Sequence, residues 1–158
     1  VSRAGVRRGG PARRAVTAGA ALAAALAGGA ACAPDGPRPL RIWTQSYEFR
    51  VSADPSPPRA REVTRYRVVV LDRTTRQVID RGEGQIFAKS ADGAQTYDSF
   101  EPAPEAGTYT ARMTYITAGD WRVNLRFRRD STAPLEKPLD DWVQAVRGAR
   151  PIVERPIQ

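Results

Sequence analysis

The sequence predicts an all-β fold, a single sandwich of antiparallel sheets with about seven strands, and three observations predict it. From about residue 41 the apolar residues recur with a period of two instead of 3.6, as in Tyr66-x-Val68-x-Val70 and Trp121-x-Val123-x-Leu125-x-Phe127. Turn formers interrupt the pattern every eight to twelve positions, the spacing of short strands joined by tight connections. The 158 residues suffice for one ordinary domain but not for two cores of usual size.

Residues 1–31 read as an export signal. Arg3, Arg7, Arg8, Arg13 and Arg14 precede a weakly apolar run, 15–31, that ends in small residues. As a helix its 17 residues span about 25 Å, less than an apolar bilayer core of about 30 Å. Only Val16, Leu22 and Leu26 in that run are bulky, so cleavage is expected over retention as an anchor. Cys32, the only cysteine, follows Gly29-Ala30-Ala31 and thereby resembles the lipobox of bacterial lipoproteins, with Gly29 where the family usually has leucine. The resemblance implies a diacylated Cys32 as the new N-terminus, and Ala33 beside it implies the outer membrane. Ordinary cleavage after Ala31 is the alternative, which leaves Cys32 a small residue with no internal disulfide partner. Residues 32–40, with Pro34, Gly36, Pro37 and Pro39, form a tether.

The sandwich is assigned to 41–130. Trp43, Tyr47, Phe49 and Val51 share one parity of a first strand, which the prolines of Pro55-Ser56-Pro57-Pro58 end because proline gives no ladder donor. Val63–Leu71, rich in β-branched residues, is the second strand and Gln77-Val78-Ile79 a short third. Gln85–Ser90 follows the Gly82-Glu83-Gly84 kink, which lacks the third glycine and helix of a dinucleotide site. Asp92-Gly93 supplies a hairpin turn, and Tyr97–Phe100 is another short strand. Tyr109, Ala111, Met113 and Tyr115 then alternate inward, Ala118-Gly119 makes a hairpin, and Trp121–Phe127 is the last strand.

Glu105-Ala106-Gly107-Thr108-Tyr109 looks like the tyrosine corner of immunoglobulin-like sandwiches, with Gly107 at the turn and Tyr109 at the corner. Ala111 stands where those domains place a cysteine, so the core is expected to hold without an inter-sheet disulfide. The wider stretch Pro104–Val123, Pro-Glu-x-Gly-x-Tyr and then Ala-Gly-Asp-Trp-x-Val, resembles the FixH and YtkA-like group of bacterial envelope proteins. That resemblance implies a small immunoglobulin-like sandwich in the envelope and a part in oxidase assembly or copper handling.

Past residue 130 a linker leads to a short helix expected near 139–147, with Asp140 and Asp141 early, Arg147 late and Gly148 just beyond, followed by an extended tail to 158. Trp142 and Val146 lie one helical turn apart there. Trp142 either caps the sandwich or anchors a partner.

Charge narrows the function. The chain has 25 basic and 17 acidic residues, but five of the arginines lie in the leader, so residues 32–158 carry 20 against 17. Nucleic acid is not expected as a partner of a nearly balanced, exported domain. With no histidine, one cysteine and one methionine, Met113, the chain lacks the donors of most zinc, copper, haem and iron–sulfur sites and of a His-based triad, so no cofactor is expected. Asp92, Asp98, Glu101 and Glu105 would serve a glycosidase or bind calcium only if the loops gather them.

Of the 20 basic residues past the leader, 18 are arginine. Arg122, Arg126 and Arg128 alternate opposite Trp121, with Arg112 on the adjoining strand and Arg65 and Arg67 on the second. Such a face grips an acidic ligand through bidentate guanidinium donors, or else is solvated and paired with nearby acids. The resulting expectation is an exported, lipid-anchored, non-enzymatic module that contacts another envelope component, a protein or an acidic surface ligand, with Arg122, Arg126, Arg128 and Trp142 as its contact residues. The alternatives are a FixH or YtkA-like accessory factor and a hydrolase built on loop carboxylates.

Overall fold

In a computed structural model the described residues are 38–151. The expected signal segment, Cys32, most of the tether and the last residues of the tail lie outside them. Gly36–Gln158 forms one compact unit. It holds the nine strands and the whole buried core seen among the described residues, so this segment contains the interactions that make the fold. Among the described residues no helix is long and apolar enough to cross a membrane.

The strands are β1 (Leu40–Trp43), β2 (Tyr47–Asp54), β3 (Val63–Asp72), β4 (Glu83–Ser90), β5 (Gln95–Ser99), β6 (Glu101–Pro102), β7 (Thr108–Thr114), β8 (Gly119–Arg128) and β9 (Trp142–Val146). They form two antiparallel sheets, β1-β2-β3-β7-β6 and β5-β4-β8-β9. Inward residues of both meet in one core, where Phe127 is edge-on to Tyr47, Phe49 and Tyr109, and Tyr115 is edge-on to Trp121. The expected β-sandwich is therefore present.

Five features depart from the sequence expectation. The first strand is two, because the chain turns at Thr44–Ser46, where Thr44 N–H donates to Tyr47 O. Tyr47, Phe49 and Val51 face the core, but Trp43 sits on the outer face opposite Glu48. Gln77-Val78-Ile79 makes only an isolated bridge, Val78 to Leu71, and is no strand. The Ala118-Gly119 connection is not a hairpin: β7 pairs with β3 and β6 while β8 pairs with β4 and β9, so the chain arches from one sheet to the other.

The expected helix at 139–147 is an edge strand, β9, antiparallel to β8. A spacing of four satisfies both periods, since i and i+4 share a face in a helix and in a strand. Free ladder groups on β8 decide between them. Asp141, read as a helix-start acid, instead accepts a 2.6 Å hydrogen bond from Asn124 Nδ2. The folded domain thus extends beyond 130, through β9.

The corner is built from a distant segment. Tyr109 is buried, and its hydroxyl donates to Ile79 O at 2.6 Å and accepts from Gly82 N–H at 2.8 Å. Burial pushes the phenol upward, and the Gly82 hydrogen bond partly opposes this. Tyr109→Phe should destabilise the protein by about 1–3 kcal/mol by stranding these backbone groups, while Arg126→Ala, on an exposed side chain, should change stability by less than about 1 kcal/mol. Urea unfolding of the two variants tests this, and equal losses would count against the corner.

Candidate functional site

The strand parity places Arg122, Arg126 and Arg128 on the outer face of the four-stranded sheet, opposite the buried Trp121, Val123, Leu125 and Phe127. Asn124 belongs to the same outer row, yet it is fully buried. The segment after β8 crosses the sheet there, and Asn124 Nδ2 donates to Pro138 O, Asp140 O and Asp141 Oδ1. Paired Phe127–Glu136 backbone bonds of 2.9 Å and a 3.0 Å bond from Ser46 N–H to Glu136 Oε2 pin the crossing in place. Burial opposes ionisation of Glu136, but the donors at Ser46 and its neighbours outweigh it and hold the carboxyl below its usual range.

The crossing divides the expected arginine face. On one side Arg126 donates to Gln85 Oε1 at 2.7 Å and Arg128 pairs with Glu83 at 2.6 Å. These two are engaged within the sheet. On the other side Arg122 lies directly opposite Lys89 on β4 and opposite Val143 on β9. Directly opposed like charges destabilise a sheet, and among the described residues neither Lys89 nor Arg122 forms an ion pair.

Two concavities share Lys89 and Arg122. One, of about 400 Å³, is lined further by Phe87, Tyr97, Lys137 and Asp141. The other, of about 560 Å³, adds Asp120 and Val143. Tyr97 is 70% exposed and Val143 64% exposed. Lys137 sits 5.5 Å from the centre of the Phe87 ring and 3.8 Å from Asp141. Three cations with two aromatic rings and few acids suit an anionic group with an apolar or planar neighbour.

The remaining candidates fall elsewhere. Trp142 is not beside the arginines, because it faces inward opposite Val123 and packs on the core, while its neighbour Val143 points outward. It holds the edge of the fold. Arg65, Arg67 and Arg112 belong to β3 and β7 of the other sheet, so the adjoining-strand placement of Arg112 is corrected by the β7–β8 arch.

The loop acids do not converge. Asp92 sits in the β4–β5 turn bonded to Ser90, Asp98 Oδ2 accepts Arg112 N–H at 2.6 Å, Glu101 is on β6, and Glu105 belongs to the turn before β7. Among the described residues no three His, Cys, Asp or Glu side chains group as metal ligands would. Sequence reasoning missed Lys89, Lys137, Phe87 and Tyr97. A signal was present, since Lys89 and Lys137 are the only lysines in an arginine-rich chain.

No protein-family model matches the chain, and no curated protein matches it. Among solved structures it is similar to the 'as isolated' FetP of uropathogenic E. coli strain F11, recombinantly expressed in the periplasm of E. coli. That match has 13% identity and a TM-score of 0.47, and covers 73% of this chain and 97% of that one. It is similar also to a copper-bound variant of the same FetP, at 12% identity and a TM-score of 0.46, over 75% of this chain and 98% of that one.

Proposed function

We propose that the chain is an exported, non-enzymatic sandwich that holds an anionic envelope component, one bearing carboxylate or phosphate groups, at the groove of Lys89, Arg122 and Lys137. One observation carries this proposal: Lys89 and Arg122 are opposed across the β4–β8 ladder and have no ion-pair partner among the described residues. Their mutual repulsion is relieved when an anion bridges them. Phe87 and Tyr97 give the ligand an apolar wall. Acylation at Cys32 would keep the domain at a membrane, as the leader implies.

The test uses a fluorescent hexaglutamate peptide and, separately, inorganic phosphate. Lys89→Ser with Arg122→Ser should weaken peptide binding about tenfold at low salt and less at high salt, where screening has already removed part of the attraction. Arg126→Ser with Arg128→Ser should leave binding unchanged. Equal binding by the parent and the first variant at every ionic strength would overturn the assignment.

A further inference from the structure

The outer face of the five-stranded sheet carries a second basic surface. The register sets Arg41 opposite Arg50 and Arg65 opposite Arg112, with Arg67 between Ser52 and Thr110. Arg41, Arg65, Arg67 and Arg112 are exposed, and none of the four forms an ion pair among the described residues. Arg50 is held by Glu48. Besides Glu48, the acids on or beside this face are Asp54, opposite Arg65, Glu101, opposite Thr110, and Asp98 of β5, whose carboxylate accepts the Arg112 backbone N–H at 2.6 Å. Two like-charged cross-strand pairs and Arg67, whose side-chain hydrogen bond is to the neutral Thr108 hydroxyl, leave a basic excess over the sheet.

We propose that this face rests on an anionic phospholipid surface. Three features favour a lipid bilayer over an acidic protein. The arginines are spread over a pleated sheet, and a recess of about 350 Å³ by Arg65 and Arg112, lined also by Asp54, Pro55, Val63 and Thr114, has no aromatic wall. Between Arg67 and Arg50 the face offers Ser52 and Val69, and Trp43 of β1 on this face is half-exposed, an indole of the kind that sits at the headgroup level of a membrane. The chain also enters the domain through β1, an edge of this same sheet. Leu40 follows Cys32 by eight residues, a reach of at most about 28 Å. That last point rests on the anchor of the proposed function, whereas the charge arrangement does not.

The experiment is co-sedimentation of the 36–158 segment with vesicles of phosphatidylglycerol and phosphatidylcholine mixed equally, and with pure phosphatidylcholine vesicles. The parent should partition onto the mixed vesicles and leave them as salt rises. Arg65→Gln, Arg67→Gln and Arg112→Gln together keep most of each side-chain stem on the sheet. They should lower that partition about 100-fold at low salt with no change in melting temperature. Lysine at the same three positions should restore binding to within about threefold. Lys89→Ser with Arg122→Ser should bind vesicles as the parent does, which separates a failure here from a failure of the groove. Equal partition of the parent and the glutamine variant would overturn the proposal. So would a parent with no preference for phosphatidylglycerol that binds polyglutamate through these arginines, since the face would then belong to an acidic protein.

Discussion

Gly107→Ala is expected to lower stability by about 3–4 kcal/mol, because two separate costs meet at one residue. Gly107 has φ +66°, a left-handed conformation that costs an L-residue about 1–2 kcal/mol. A Cβ there would also lie 2.5 Å from the Cβ of Val78 and 3.2 Å from the carbonyl oxygen of Val70. Neither neighbour is free to retreat. Val78 bridges to Leu71, and the flanking bonds Asp72 N–H to Gln77 O and Ile79 N–H to Val70 O measure 2.8 and 3.0 Å. Overpacking of this kind adds about 1–3 kcal/mol.

Gly93→Ala is the control. Gly93 has φ +90° with open space around its missing Cβ, so only the conformational cost of about 1–2 kcal/mol applies. Thermal unfolding should place Gly107→Ala well below Gly93→Ala. Equal shifts would mean that the contact with Val78 yields and that the corner is looser than its packing implies.

Side-chain orientation was legible in the sequence where strand partnership was not. Alternation alone placed Tyr66, Val68 and Val70, and Trp121 through Phe127, on the core side, because a pleated strand sends successive side chains to opposite faces. Alternation does not say which strand lies alongside. Residues 115–118 suit a hairpin and an arch equally, so the sheet carrying Arg112 could not be read from the sequence. Arg122 was visible as an outward residue, but Lys89 joins it only through the β4–β8 register. Lys137 arrives only because the segment after β8 crosses over Asn124. A polar residue in an outward row gives no sign that it is covered. The covering segment has the small and polar composition of a linker.

The carboxylate of Glu48 is expected to give the other large effect. Glu48 lies on the outer face of β2, yet it is only 1% exposed, between Trp43 and Leu71 on the neighbouring strands. Arg50 Nε donates to it at 3.0 Å and Arg76 Nη1 also donates. Burial raises the carboxyl, but the hydrogen bonds and charges of the two arginines outweigh this and hold it below 4.5. Its stabilisation is therefore present above that value and is lost as pH falls through the folded-state value.

Replacing both arginines by alanine leaves a buried charge with no partner and should cost about 3–5 kcal/mol near neutral pH. In that variant only burial remains, and it should raise the carboxyl above its usual range. The native state then binds a proton that the unfolded chain releases, so stability falls as pH rises toward neutrality. Glu48 adds almost no slope to the parent's stability between about pH 5 and 7, whereas the variant should lose stability as pH rises across that range. Adding Glu48→Met removes the titrating group, keeps the volume and should recover most of the loss. Urea unfolding across that pH range decides the matter. A variant without the two arginines that tracks the parent at every pH would show that Glu48 finds water, and that the guanidinium pair does not hold this edge of the sheet.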